Sequence, residues 1–150
     1  TIRSLSVPMP GRNFLAPANQ LARFYRSMLS GGVLDGQRAL RPDTVSDFTA
    51  RHRTDVVDET FHHEMDFGLG VLRNLEDPEL RATMPYGFGP HASELAFGHG
   101  GQGSSVAFAD PGHDLAVALV WNGVLDEKRH QPRLRETLAA LYQDLRLAAS

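Results

Sequence analysis

The chain has no cysteine, a single lysine (Lys128) against 14 arginines and one tryptophan. It also lacks any apolar run near the roughly 18 residues that a membrane-crossing helix needs. Without cysteine there is neither a disulfide framework nor a thiol nucleophile; either redox compartment suits such a chain, so localisation stays open. The N-terminus does not follow the basic, apolar, small-residue order of a secretory leader, and no membrane span is expected. The formal net charge is −3, with both signs interspersed along the chain. That leaves no basic stripe for nucleic acid or an anionic membrane surface. The excess of arginine over lysine is a bias of composition rather than of chemistry. The first residue is Thr1 rather than Met, and a processed, truncated or excised polypeptide is expected.

What is present is enough for one core. At 150 residues and 41% hydrophobic content the chain supports one domain and is too short for two ordinary ones. Residues 1–13 carry Pro8, Pro10 and Gly11 and read as an irregular lead-in. Between Pro17 and Ser30, Leu21, Phe24, Tyr25, Met28 and Leu29 recur at helical spacing before Gly31-Gly32, which predicts an amphipathic helix with a glycine stop. Leu34-Asp35-Gly36 reads as a turn. Pro42 and Asp43 suit the first turn of a second, shorter helix with Val45 and Phe48 on one face. Residues 51–65 read as a polar surface loop leading to a short strand around 67–72, and 74–94 as a long irregular stretch suited to a functional lid or rim.

Three strands are expected at 95–98, 105–109 and 115–121, the last two joined by the turn Asp110-Pro111-Gly112-His113, giving an antiparallel meander. Val106, Phe108, Leu115, Val117, Leu119 and Trp121 alternate with Ala107, Ala109, Ala116 and Ala118. Both faces of the sheet are therefore apolar, one with only small residues, and helices should cover both. Leu134, Leu138, Leu141, Tyr142 and Leu145 predict a C-terminal helix for one of them. The fold class is α+β, an antiparallel meander flanked by helices.

The chemistry concentrates in Gly98-His99-Gly100-Gly101-Gln102-Gly103-Ser104-Ser105. Glycines let a main-chain edge come close to a bound molecule, so this stretch is expected to build one wall of a small-molecule site. Gly98-x-Gly100-x-x-Gly103 formally spells a dinucleotide fingerprint, but a strand follows it where a helix should. A Walker loop fails because no lysine follows the glycines. A self-contained triad drawn from Ser104 or Ser105, His99 or His113, and Asp110 or Asp114 lacks the Gly-x-Ser-x-Gly elbow. His52, His62 and His63 do not match metal-ligand spacing and read as solvated loop histidines; neither a metal nor another cofactor is called for. His99 differs because it lies inside the glycine cluster, where its imidazole can hold a substrate carboxylate or carbonyl.

The ordered set Leu21-Ala22-Arg23-Phe24-Tyr25, Gly31-Gly32-Val33-Leu34-Asp35-Gly36, Phe67-Gly68-Leu69-Gly70, Tyr86 to Ser93, Gly98-His99-Gly100-Gly101 and Ala107 to Pro111 resembles the serine hydrolases of the β-lactamase and penicillin-binding-protein fold, including their esterase branch. It is similar to the C-terminal half of that domain only, so residues 1–150 are expected to form a single incomplete domain. The resemblance implies ester or amide hydrolysis through an acyl-enzyme, with His99-Gly100-Gly101 in the position of the family's Lys-Thr-Gly motif. It also implies that the Gln102 N–H is an oxyanion-hole donor, and that Gly100, Gly101 and Gly103 form the substrate-binding wall.

The family's other two motifs are missing. Leu125 stands three residues before the only lysine, so there is no Ser-x-x-Lys, and Tyr25-Arg26-Ser27 spells Tyr-x-Ser on the apolar stripe of a helix rather than on a loop. A nucleophile from another segment is therefore expected. The resemblance further implies that the uncharged strand 115–121 pairs with a strand of the missing N-terminal half, or of a second copy. The alternative reading is a non-catalytic binding module on the same scaffold.

Overall fold

The computed structural model describes Val7 and residues 15–148, so the expected irregular lead-in at 1–13 lies, Val7 apart, outside the described residues. Helix α1, Ala18–Leu29, buries Tyr25 and Met28 and ends where the Gly32 N–H donates to the Ser27 carbonyl (2.8 Å). Phe24, expected on the buried stripe, stays 42% exposed and meets the Tyr25 ring edge-on. It sits about 100° around the helix from Tyr25, off the line through Leu21, Tyr25 and Met28. Strands β1 (Val33–Leu34) and β2 (Gln37–Arg38) form a hairpin whose turn places Asp35 and Gly36 at φ 51° and 77°, the left-handed pair a tight hairpin favours. Helix α2, Pro42–Thr49, starts on Pro42 and buries Val45.

The expected loop at 51–65 contains a small hairpin, β3 (Val57–Asp58) with β4 (His63–Glu64). The strand expected around 67–72 is instead two short strands, β5 (Asp66–Phe67) and β6 (Leu72–Arg73), folded on each other. Two glycines in Gly68-Leu69-Gly70 reverse the chain there, Gly70 at φ 79°. The stretch 74–94 is less irregular than expected. It holds a one-and-a-half-turn helix, α3 (Pro78–Thr83), whose Asp77 side chain caps the N–H groups of Glu79 and Leu80. It also sends Met84, Tyr86, Phe88 and Ala92 into the core. A helix so short shows no periodicity, and only its cap and Pro78 mark it in the sequence.

Strands β7 (Phe97–Gly101), β8 (Ser105–Asp110) and β9 (Leu115–Val120) complete an antiparallel sheet of order β5-β6-β7-β8-β9. The meander is as expected, but β7 runs through Gly101 rather than stopping at Gly98, because the β8 ladder pairs Gly100 with Val106 and Gly101 with Ser105. The tight turn expected at 110–113 is a 3₁₀ turn, Pro111–His113, closed by Asp114 at φ 48°.

The two sheet faces differ as their residues dictate. Phe88 stacks on Phe108 at 5.0 Å beneath helix α4, Glu127–Asp144, which contributes Leu134, Leu138 and Tyr142 to that core. On the other face Ala107 and Ala109 leave room for α1 to lie close, and Tyr25, Met28 and Phe97 fill the layer. Leu145, expected on the α4 stripe, caps the helix and is half exposed. Strand β9 has no partner on its outer side among the described residues. No helix among them is long and apolar enough to cross a membrane.

Candidate active site

Short β6 pairs with β7 only at Phe97 and Gly98, so residues 99–102 present a main-chain edge with no strand beyond it among the described residues. That edge lines an open cleft of about 620 Å³ whose other walls include Phe61, Pro85, Tyr86, Glu127 and Gln131. The glycines serve a packing purpose not expected from the sequence. A Cβ on Gly98 would overlap the Ala107 carbonyl and Phe108, one on Gly100 the Tyr86 ring, one on Gly101 the Ser105 hydroxyl, and one on Gly103 the Leu125 carbonyl. The space they leave is filled by the protein's own chain from within, which holds the edge at the cleft.

His99 is exposed at the cleft rim, its Nδ1 2.7 Å from the Gly100 carbonyl. With the proton on Nδ1, this bond leaves Nε2 as an acceptor. Cross-strand pairing with Ala107 puts His99 on the α1 side of the sheet. There its main-chain N–H faces the Tyr25 hydroxyl, whose pKa burial raises to about 12. Gln102 is exposed in the β7–β8 turn, and none of the turn's hydrogen bonds uses its main-chain N–H. The next residue is the reverse: Gly103 is buried at φ 66°, and its carbonyl accepts from the Leu125 N–H (3.1 Å) and from Arg133 (2.9 Å).

Residues not expected from the sequence form the opposite wall. Tyr86, itself at φ 57°, donates its hydroxyl to Glu127 Oε1 (2.5 Å), and its N–H donates to Gln131 Oε1 (3.0 Å). Gln131 also reaches Glu127 Oε2 at 3.2 Å. Burial, and then the Glu127 carboxylate, push the Tyr86 pKa up to about 12, so the phenol stays a donor at neutral pH. Behind it His130 is buried between the rings of Tyr86 and Trp121, with Nδ1 3.1 Å from Arg133. Burial, then the Arg133 charge, lower its pKa. The glutamate and glutamine at i and i+4 of one helix were visible in the sequence, but nothing there joined them to Tyr86.

The triad candidates do not assemble. Asp110 does bond His113 Nδ1 (2.9 Å), but the serine on this carboxylate is Ser93, and it bonds the carboxylate rather than the imidazole. Ser105 stands at the other end of β8, about 16 Å away at the usual strand rise. Asp114 pairs instead with Arg26 at 3.0 Å. His52 and His63 bond the Asp47 carbonyl and the Thr83 hydroxyl, while His62 stands exposed in the β3–β4 turn. Among the described residues no group of three or more metal-ligating side chains converges.

An antiparallel sheet with helices on both faces and a glycine-rich strand opening on a cleft at its edge is the architecture of a β-lactamase-like fold. The sequence matches the Beta-lactamase family over residues 2–142, and the chain belongs to that family. It is similar to a penicillin-binding protein homologue from Caulobacter crescentus, with 30% identity and a TM-score of 0.59 over 80% of this chain and 30% of the homologue. It also superposes on a family VIII carboxylesterase with a TM-score of 0.56 at 22% identity, covering 79% of this chain and 30% of the other, a likeness of fold. No curated protein matches the chain. The chain thus spans about a third of the length of the solved structures it resembles.

Proposed function

We propose that this chain is the C-terminal part of a serine acyl hydrolase that cleaves an ester or amide bond through an acyl-enzyme, residues 1–150 forming one incomplete domain. The observation that carries the reading is a Gln102 N–H that, among the described residues, has no hydrogen-bond partner, next to an unpaired strand edge beside His99 at the mouth of a cleft in a chain of this family. An amide held there without an internal partner is preorganised to accept the negative charge that develops on a carbonyl oxygen under attack. His99 orients the substrate or tunes the proton network, Gly100, Gly101 and Gly103 shape the wall, and the attacking serine comes from outside this chain. Esters suit the site better than penicillin-type substrates. His99 stands where a lysine would meet a substrate carboxylate, and Glu127 adds a negative charge to the same cleft. The uncharged, proline-free β9 would take a further strand on its open side, from the rest of the polypeptide or from a second copy.

A fluorophosphonate probe, applied to the full-length polypeptide that contains this chain, tests the reading. The expected result is one covalent label on a serine outside residues 1–150, with hydrolysis of 4-nitrophenyl esters lost on labelling. Absence of labelling favours a non-catalytic binding module, and a label on Ser104 or Ser105 favours a self-contained hydrolase.

A further inference from the structure

Tyr86 and Arg133 hold the residue next to the proposed oxyanion donor from two sides. The Tyr86 ring fills the space a Cβ on Gly100 would take. Its hydroxyl oxygen is faced by the Gly103 N–H while its proton goes to Glu127. From the helix side, Arg133 donates to the Gly103 carbonyl, stacks over Trp121 at 5.0 Å and meets buried His130. The Gly103 carbonyl is therefore engaged from inside the protein and its N–H lies toward the Tyr86 hydroxyl, whereas among the described residues no hydrogen bond takes the N–H of Gln102, one residue earlier. Tyr86 is in turn held in a left-handed conformation, uncommon for a residue with a side chain, by the bond from its N–H to Gln131.

We infer that Tyr86 and Arg133 are positioning residues that fix the β7–β8 turn through Gly103, so that the Gln102 N–H points into the cleft. This rests on the acyl-hydrolase reading of the site and adds to it a specific cause for the donor's orientation. The phenol contributes by holding the turn, with Glu127 as its proton acceptor, and transfers no proton to substrate. A loose oxyanion donor costs rate in the transition state while leaving ground-state binding of the ester nearly unchanged.

The experiment compares Tyr86→Phe and Arg133→Met with wild type in the full-length protein, using a 4-nitrophenyl ester for kinetics and phenylboronic acid as a tetrahedral-adduct probe. Tyr86→Phe keeps the ring against Gly100 and removes only the hydroxyl. The expected result in each variant is a fall in kcat of about tenfold, somewhat less than the loss of an oxyanion donor itself. KM should stay within twofold, boronate affinity should fall in step with kcat, and the loss of kcat should persist per folded molecule well below each variant's melting temperature. A kcat within twofold of wild type in either variant overturns the inference. So does a fall in kcat that vanishes when activity is expressed per folded molecule, or a rise in KM that accounts for the lost kcat/KM. Wild-type protein that neither hydrolyses esters nor takes a fluorophosphonate defeats the acyl-hydrolase reading itself, a result separable from failure of the variants alone.

Discussion

At one end of β8 the Asp110 carboxylate accepts hydrogen bonds from the Ser93 N–H and hydroxyl, the Gly112 N–H, His113 and the Tyr142 hydroxyl, and it is fully buried. At the other end the chain turns through Gln102, whose N–H is left without a partner in the turn and is exposed at a cleft. Both ends are rich in serine, histidine and main-chain donors, so composition does not separate them. What separates them is saturation. A polar group with every lone pair taken stabilises the fold, while one held rigid and left open can act on a molecule from outside. On the proposed reading, chemistry belongs to the Gly101–Gly103 turn and structure to the Asp110 hub, although the hub holds the more triad-like set of residues.

The largest effect should come from breaking the saturated end. Asp110→Asn removes the charge that collects five donors and should cost roughly 3 kcal/mol of stability, measured by urea unfolding. The kcat per folded molecule should be unchanged; a selective loss of kcat would move chemistry to that end. Gly100→Ala should cost about 2 kcal/mol, because the new Cβ and the Tyr86 ring claim the same space. At this end the loss should come with reduced ester hydrolysis beyond the unfolded fraction.

A smaller, pH-dependent effect sharpens the contrast. Burial alone would raise the Asp110 pKa, but the bonds from Ser93, Tyr142 and His113 outweigh it and hold the carboxyl below its ordinary value. Its stabilisation is therefore present above the unfolded carboxyl pKa and is lost as pH falls through the folded one. Buried neutral His130, with its lowered pKa, adds stability that is likewise present above the ordinary histidine value and lost as pH falls below it. At the cleft the sign reverses. The Tyr86 pKa is raised to about 12, so its contribution is full below the unfolded tyrosine value near 10 and is lost as pH rises through about 12. Stability profiles of Asp110→Asn and Tyr86→Phe should be shallower than wild type on the acid and the alkaline limb respectively. Identical limbs in variant and wild type would contradict the assignment.

The sequence made legible whatever is written in repeated positions. The β8–β9 alternation of large and small residues foretold two apolar faces, one with only small residues, each covered by a helix, because many side chains carry that pattern. Leu134, Leu138 and Tyr142 marked the helix for the same reason. The glycine run marked the place of the cleft edge, but it did not reveal that its empty positions receive Tyr86, Phe108 and Ser105. What stayed hidden depends on single long-range bonds. Tyr86 meets Glu127 and Gln131 across 41 and 45 residues of chain, and it lies in a run of Pro, Gly and Phe that gives no period. The Asp110 hub was hidden likewise, because the aspartate before Pro111-Gly112 reads locally as a turn residue.

The account stands most directly on the main-chain N–H of Gln102, and proline is the substitution that removes it. In the full-length protein, kcat of Gln102→Pro for a 4-nitrophenyl ester should fall about a hundredfold or more, with folding intact by circular dichroism. A folded Gln102→Pro protein with kcat within threefold of wild type would contradict the assignment of the oxyanion donor to this turn.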